Sequence, residues 1–180
     1  PLRSPSLINS RTAASTVVLT AIVPGSFMVI PVCANILFND LDNIIKPIRK
    51  GLGDKISTKQ MWSINKEDFG NNLYNWGGRG IIQDNYGEKR AYSNEFREYD
   101  LVEIVTLDSF NFHKCDLIKI DIQGYEYFAF LGAQKLIQAN KPVILLENPL
   151  SGDECDVKSK SHLKEIGYEI YRLGVGNKED

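Results

Sequence analysis

The sequence contains few cysteines and almost no net charge. Its three cysteines, Cys33, Cys115 and Cys155, are widely spaced and form no C-x-x-C pair, so the sequence suggests neither a disulfide framework nor a zinc site. A net charge of -2 in 180 residues, with a pI near 5.8, gives no electrostatic reason to expect nucleic acid or an anionic membrane as a partner. Small molecules and carbohydrates are therefore the expected partners.

The sequence also lacks an uninterrupted membrane-spanning run. The apolar stretch from Ala13 to Phe38 is cut by Pro24-Gly25 and by Pro31, which favours short strands or helices around a turn over a transmembrane helix. Residues 1–12 have no long apolar core with a cleavage site after it; we expect a frayed end or residues added for expression rather than a secretory signal. Residues 13–180 are expected to form a single cytoplasmic domain.

Alternating strand and helix patterns predict an α/β fold. The clearest unit begins with a strand at Leu117–Ile122 and continues after Gly124 with one helix, whose apolar and small residues recur with helical spacing until Asn140-Lys141-Pro142 ends it. A second strand follows at Val143–Leu146, and two strands joined in this way are expected to be parallel. Further strands are predicted at 43–50, 101–105 and 168–173, and a further helix at 161–166. Together these elements predict an open, mostly parallel sheet.

Two charged residues interrupt the strand at Leu117–Ile122. A strand of a parallel sheet is covered on both faces and is expected to be nearly all apolar, yet this one contains Lys119 and Asp121. The two share one face, and Asp121 lies nearest the carboxyl end, where ligands of open α/β sheets bind. Glu147 holds the same position after the next strand, so both carboxylates are expected near one cleft.

Asp121, Glu147 and Glu126, the acidic residue shortly after Gly124, each have a simpler interpretation as well. Asp121 could cap the following helix or only neutralise Lys119, Glu147 could be a charge leaving the sheet for solvent, and Glu126 could be a first-turn carboxylate favoured by the helix dipole. A further alternative is a hydrolase that uses Asp121 and Glu147 as a carboxylate pair, which requires the two carboxyl groups to lie within about 10 Å of each other.

Several blocks of the sequence resemble the FkbM family of S-adenosylmethionine-dependent methyltransferases. The family pattern runs approximately V-V-T-L-D, then D-L-I-K-I-D-V-E-G-x-E, then L-x-G-A and P-x-x-x-x-E. The matching positions are Val105-Thr106-Leu107-Asp108, Asp116 to Asp121, Gly124, Glu126, Leu131-Gly132-Ala133, Pro142 and Glu147. Weaker likeness, such as G-L-G-D-K at 51–55, extends the resemblance to roughly residues 21–175, and it is strongest from 102 to 148.

The resemblance implies a Rossmann-like class I methyltransferase fold with helices on both faces of the sheet, and methyl transfer from S-adenosylmethionine to a hydroxyl of a sugar or other small acceptor. It assigns Asp121 as the residue that takes the hydroxyl proton or positions the acceptor, with Glu126 and Glu147 in supporting roles. The cofactor-binding positions that it implies are Gly53, Asp54, Gln123 and Gly124. Acceptor choice is expected to lie in residues 56–100, whose turn-rich composition predicts a loop or hairpin excursion.

Three departures from the family pattern keep a second function open. Gln123 replaces a glutamate, Ile30-Pro31 stands where the family tends to have Glu-Pro, and no D-x-G-A-N-x-G segment occurs in the sequence. That glycine-rich turn lets the backbone approach the cofactor. The fold is therefore expected to be incomplete at the N-terminus, and the alternative is an inactive or truncated methyltransferase-like domain that serves as a binding or scaffold module.

Overall fold

A computed structural model describes residues 33–62, 81, 99–122, 124–146 and 154–172. In chain order, its elements are α1 over residues 33–38, β1 Gly51–Leu52, β2 Ser57–Trp62, β3 Tyr99–Val105, a 3-10 helix Leu107–Phe110, β4 Leu117–Ile120, α2 Glu126–Leu131, α3 Gln134–Asn140, β5 Val143–Leu146 and α4 Glu154–Glu165. This order confirms the predicted mixture of strands and helices. The strand predicted at 43–50 lies instead at β1, and residues 168–172 contain no strand.

The described strands form two sheets. In the first, β3 lies between β1, to which it is parallel, and β2, to which it is antiparallel. In the second, β4 and β5 are parallel, with Leu117 beside Val143 and Ile120 beside Leu146. The predicted parallel pairing of β4 and β5 is thus confirmed. The excursion predicted at residues 56–100 begins with β2, which pairs along β3; of residues 63–98 the structure describes only Ile81.

The prediction of one continuous helix after Gly124 is wrong, because the chain forms two helices, α2 and α3, with a break at Gly132. The carbonyl of Gly132 accepts a hydrogen bond from the amide of Asp108 at 2.9 Å. The Asp108 carboxylate in turn accepts from the amides of Lys135 at 3.1 Å and Leu136 at 2.9 Å. The first amides of a helix have no partner inside it, so Asp108 caps α3 and fixes where it starts.

Gly132 lies directly against the turn that follows β1. A Cβ atom on Gly132 would be 2.0 Å from the carbonyl oxygen of Gly53 and 3.2 Å from Cβ of Thr106. We call this approach of the two backbones the Gly53–Gly132 contact. The amide of Gly53 also donates to the carbonyl of Val105 at 3.0 Å, so the turn after β1 is held by β3 on one side and by the break between α2 and α3 on the other.

One cluster of buried side chains joins the elements of both sheets. Every described strand except β5 contributes residues to this cluster, and so do α2, α3 and α4. Met61, Ile104 and Ile137 are each 0% exposed. The apolar stripe predicted for the helical segment is confirmed, because it faces this core from both α2 and α3. Among the described helices, none has the length and the apolar character needed to cross a membrane.

The Gly53–Gly132 contact predicts that even a single added methyl group is costly. Gly132→Ala should lower the free energy of unfolding by about 3 kcal/mol, at the upper end of overpacking penalties, because backbone must move to admit Cβ. Gly167→Ala is the matched control: its φ of +91° is strained for alanine, but its Cβ would meet open space, so a loss of about 1 to 2 kcal/mol is expected. Urea denaturation measures both, and equal losses would contradict the packing described.

The cap provided by Asp108 predicts a second stability effect. Asp108→Ala removes the acceptor of two α3 amides and should cost about 0.5 to 2 kcal/mol, as other helix caps do. Asp116→Ala is the control, because its exposed carboxylate pairs only with Lys114 in the described contacts and should change the unfolding free energy by less than about 1 kcal/mol. Unfolding by urea, followed by circular dichroism, would refute the cap if the two variants were equally stable.

Candidate functional site

Asp121 lies immediately after β4, where the strand gives way to the turn that leads into α2. Its side chain is 40% exposed, and a carboxylate oxygen lies 3.7 Å from Nζ of Lys119, whose side chain is 66% exposed. The ion pair between Asp121 and Lys119, predicted from the sequence as a simpler interpretation of Asp121, is therefore present. An ion pair this exposed contributes little to stability, and the carboxylate remains accessible to solvent and to a ligand.

The expectation that β4 is buried on both faces is wrong. Leu117 and Lys119 are exposed, whereas Ile120 is 2% exposed and faces the core. On β5, Val143 and Leu145 lie beside Leu117 and Lys119 in the register and are also exposed. This face of the β4–β5 pair is therefore open in the described part of the chain. Lys119 keeps its hydration there, which explains how a charged residue fits in this strand.

Glu126 fixes the turn between β4 and α2 from inside. Its side chain is buried, with 8% of the residue exposed, and Oε1 accepts hydrogen bonds from the amides of Ile122 at 2.9 Å and Gly124 at 3.3 Å. Buried backbone amides of a turn need such an acceptor. Glu126 is also an acidic residue in the first turn of α2, as the simpler interpretation expected, and its buried carboxylate is engaged by the turn.

Gly124 is an open point of the same turn. Its φ is +92°, a conformation that favours glycine, and apart from its chain neighbours no atom of the described residues lies within 4 Å of the place where a Cβ would stand. A ligand could therefore approach this backbone closely. Two more predicted positions, Gln123 and Glu147, lie outside the described residues. The structure therefore does not describe the separation of the Asp121 and Glu147 carboxyl groups, on which the hydrolase alternative depends.

The turn after β1 brings two further predicted residues to the same region. Gly53 is buried, and a Cβ there would be 2.7 Å from Cγ2 of Ile104 and 3.1 Å from Cε1 of Tyr125, so protein atoms fill the space beside its Cα. Asp54 is exposed. Asp54 is thus an exposed carboxylate in this turn that a ligand could meet, as are the neighbouring side chains of Lys55 and Ile56, while Gly53 allows close packing beneath it.

Tyr125 is a residue of this region that the sequence reasoning assigned only to the apolar stripe. It is 4% exposed, and its ring stacks on that of Phe128 with centroids 4.6 Å apart. Burial raises the pKa of the Tyr125 hydroxyl, and the charges of Asp54 and then Cys155 raise it further. Tyr125 therefore connects the turn after β4 with the turn after β1, and its place directly after Gly124 is the signal that could have singled it out.

The described residues hold no cluster that would bind a metal ion. No group of three or more His, Cys, Asp or Glu side chains comes together among them. Cys33, Cys115 and Cys155 are not joined by disulfide bonds, and burial raises the pKa of the Cys115 thiol. The chemistry available from these residues is thus that of a carboxylate, an ammonium group and an open glycine backbone at the end of β4.

Comparison with known proteins identifies the family. The family model described as the methyltransferase FkbM domain matches residues 15–170, a range that includes both turns and all of the motif blocks. No curated protein and no solved structure gives a significant match. Because the family model covers most of the sequence, the chain belongs to the FkbM methyltransferase family.

Proposed function

We propose that this protein transfers a methyl group from S-adenosylmethionine to a hydroxyl of a sugar or another small acceptor. Membership of the FkbM methyltransferase family supports methyl transfer. The observation that carries the finer proposal is the Asp121 carboxylate, which is 40% exposed directly after β4, at the kind of strand end where α/β sheets bind ligands. The proposal includes an open Rossmann-like sheet with helices on both faces, and a cytoplasmic location.

The described residues fit the cofactor at two points. The exposed Asp54 carboxylate can accept hydrogen bonds from ribose hydroxyls, and the open backbone at Gly124 leaves room for a close approach. Tyr125 keeps the two turns adjacent. When bound, S-adenosylmethionine would supply an electrophilic methyl group on a sulfonium sulfur.

The residues at the end of β4 would act on the acceptor. Asp121 would accept the proton of the acceptor hydroxyl as that oxygen bonds to the methyl carbon and the carbon–sulfur bond breaks, leaving a neutral thioether, so that no free alkoxide has to form. Glu126 holds the turn in shape through its bonds to the amides of Ile122 and Gly124. Fixing this turn matters because displacement at a methyl carbon requires the attacking oxygen to be held in line.

A second candidate function is a methyltransferase-like domain that binds a partner without catalysis. It is favoured by the absence of a D-x-G-A-N-x-G segment and by Ile30 and Gln123 at positions where the family has acidic residues. Titration calorimetry with S-adenosylhomocysteine separates the two candidates. Binding supports the transferase, and no heat at millimolar ligand leaves only the binding module.

Replacing Asp121 tests its role in transfer directly. Asp121→Asn keeps the shape of the side chain but not the proton acceptor, so transfer should fall by at least about 100-fold, the scale of general-base catalysis. Asp116→Asn is the matched control, because this aspartate precedes the same strand, is exposed and pairs with Lys114 at 3.1 Å. Methyl transfer to candidate acceptors and the melting temperature are measured together. Unchanged turnover in Asp121→Asn would reject the assignment.

Glu126 should respond differently from Asp121, because it acts on the turn. Glu126→Ala leaves the buried amide of Ile122 without its acceptor and should cost about 1 to 3 kcal/mol of unfolding free energy. Glu126→Gln retains an acceptor oxygen and should lose much less. Chemical denaturation of the two variants measures the difference. If Glu126→Ala were as stable as the wild type, the hydrogen bonds that Glu126 accepts from the amides of this turn would not stabilise the fold.

A further inference from the structure

The Tyr125 side chain points into the protein although its backbone lies in a turn. Gly124, just before it, has a φ of +92°, and α2 begins with Glu126 just after it. Aromatic residues at such positions often lie on the surface, yet Tyr125 is only 4% exposed. The turn therefore directs a large ring inward at the point where β4 ends.

The ring of Tyr125 meets the turn after β1. Its Cε1 atom would lie 3.1 Å from a Cβ placed on Gly53, so the ring covers that glycine, and its other neighbour is the ring of Phe128. The charges of Asp54 and Cys155 both raise the pKa of the hydroxyl, after the larger effect of burial. Tyr125 thus lies among β1, α2 and the first turn of α4.

The two turns that would form the site have no shared strand pairing to hold them together. Asp54 follows β1 and Asp121 follows β4, and in the described part of the chain these strands belong to different sheets. Their relative position therefore depends on side-chain packing, both in the core that joins the two sheets and between the turns themselves. Tyr125 supplies such packing directly between them, while the Gly53–Gly132 contact supports the turn after β1 from the side of α2 and α3.

We propose that Tyr125 is a positioning residue that holds the Gly53–Asp54 turn against the Asp121 turn and thereby sets the affinity for the adenosyl half of the cofactor. The inference rests on the proposed function. The ring performs this role by filling the space over Gly53. This role requires the ring and not the hydroxyl, so phenylalanine should be an adequate replacement.

Binding of S-adenosylhomocysteine by Tyr125 variants tests the proposal. Tyr125→Leu should weaken binding by about tenfold or more, since small misplacements of a site have effects of this order. Tyr125→Phe should stay within about twofold of wild type, well below the tenfold that corresponds to 1.4 kcal/mol. Tyr168→Phe is the control: its hydroxyl donates to the carbonyl of Pro142 at 3.0 Å, beside the start of β5, and its loss should leave binding unchanged. Equal affinity of Tyr125→Leu and wild type would overturn the proposal.

Amide hydrogen exchange gives a readout that needs no ligand. In the wild type the Gly53 amide donates to Val105 and the Gly124 amide to Glu126. Tyr125→Leu should accelerate exchange at both amides, while Tyr125→Phe and Tyr168→Phe should not. Tyr125→Met, whose longer and more flexible side chain can fill irregular gaps, replaces the leucine variant if that variant does not fold. If the wild type binds no S-adenosylhomocysteine, the proposed function fails, and unchanged exchange at Gly53 in Tyr125→Leu would still reject the positioning role by itself.

Discussion

The Gly53–Gly132 contact brings the backbone at the break between α2 and α3 against the carbonyl group of Gly53. This contact determines how closely the two helices can pack on the first sheet. A side chain at Gly132 would separate the two surfaces, and one at Gly53 would collide with Ile104 and crowd Tyr125. The same approach brings the Gly132 carbonyl to the amide of Asp108, whose carboxylate then starts α3. Three motif blocks of the family, those containing Asp108, Gly132 and Gly53, thus meet at one structural point. They support the turn after β1 and the start of α3.

Local patterns in the sequence predicted the elements that are defined by local chemistry. The strand at β4, the helical stripe and the parallel partner at β5 follow from spacing and from breakers such as Pro142, and all three are present. The break at Gly132 could not be predicted in this way, because α2 and α3 continue one stripe and the capping group, Asp108, comes from a distant part of the sequence. Tyr125 was missed for a related reason, since its role depends on which turn lies opposite.

The charges on β4 show how one open face changes the meaning of a sequence pattern. Lys119 and Asp121 appear anomalous only if both faces of the strand are covered. With Leu117 and Lys119 exposed, the alternation is that of a strand with one hydrated face, and the ion pair at 3.7 Å costs little desolvation. The same openness leaves the Asp121 carboxylate accessible. The accessibility of Asp121 and the tolerance of charged residues at this end of the strand therefore have one physical origin.

The antiparallel pairing of β2 with β3 has a consequence for how members of this family can diverge. Trp62 lies beside Tyr99 at one end of the ladder and Ser57 beside Ile104 at the other, so both ends of the intervening segment are anchored to the first sheet. The entropy of closing a loop grows only with the logarithm of its length, by roughly 0.6 kcal/mol for each doubling. Where Ile81 keeps its bridge to Met61 and its place in the core, a change in the number of residues between Trp62 and Tyr99 would add only this small closure term, and the anchored ladder would stay the same.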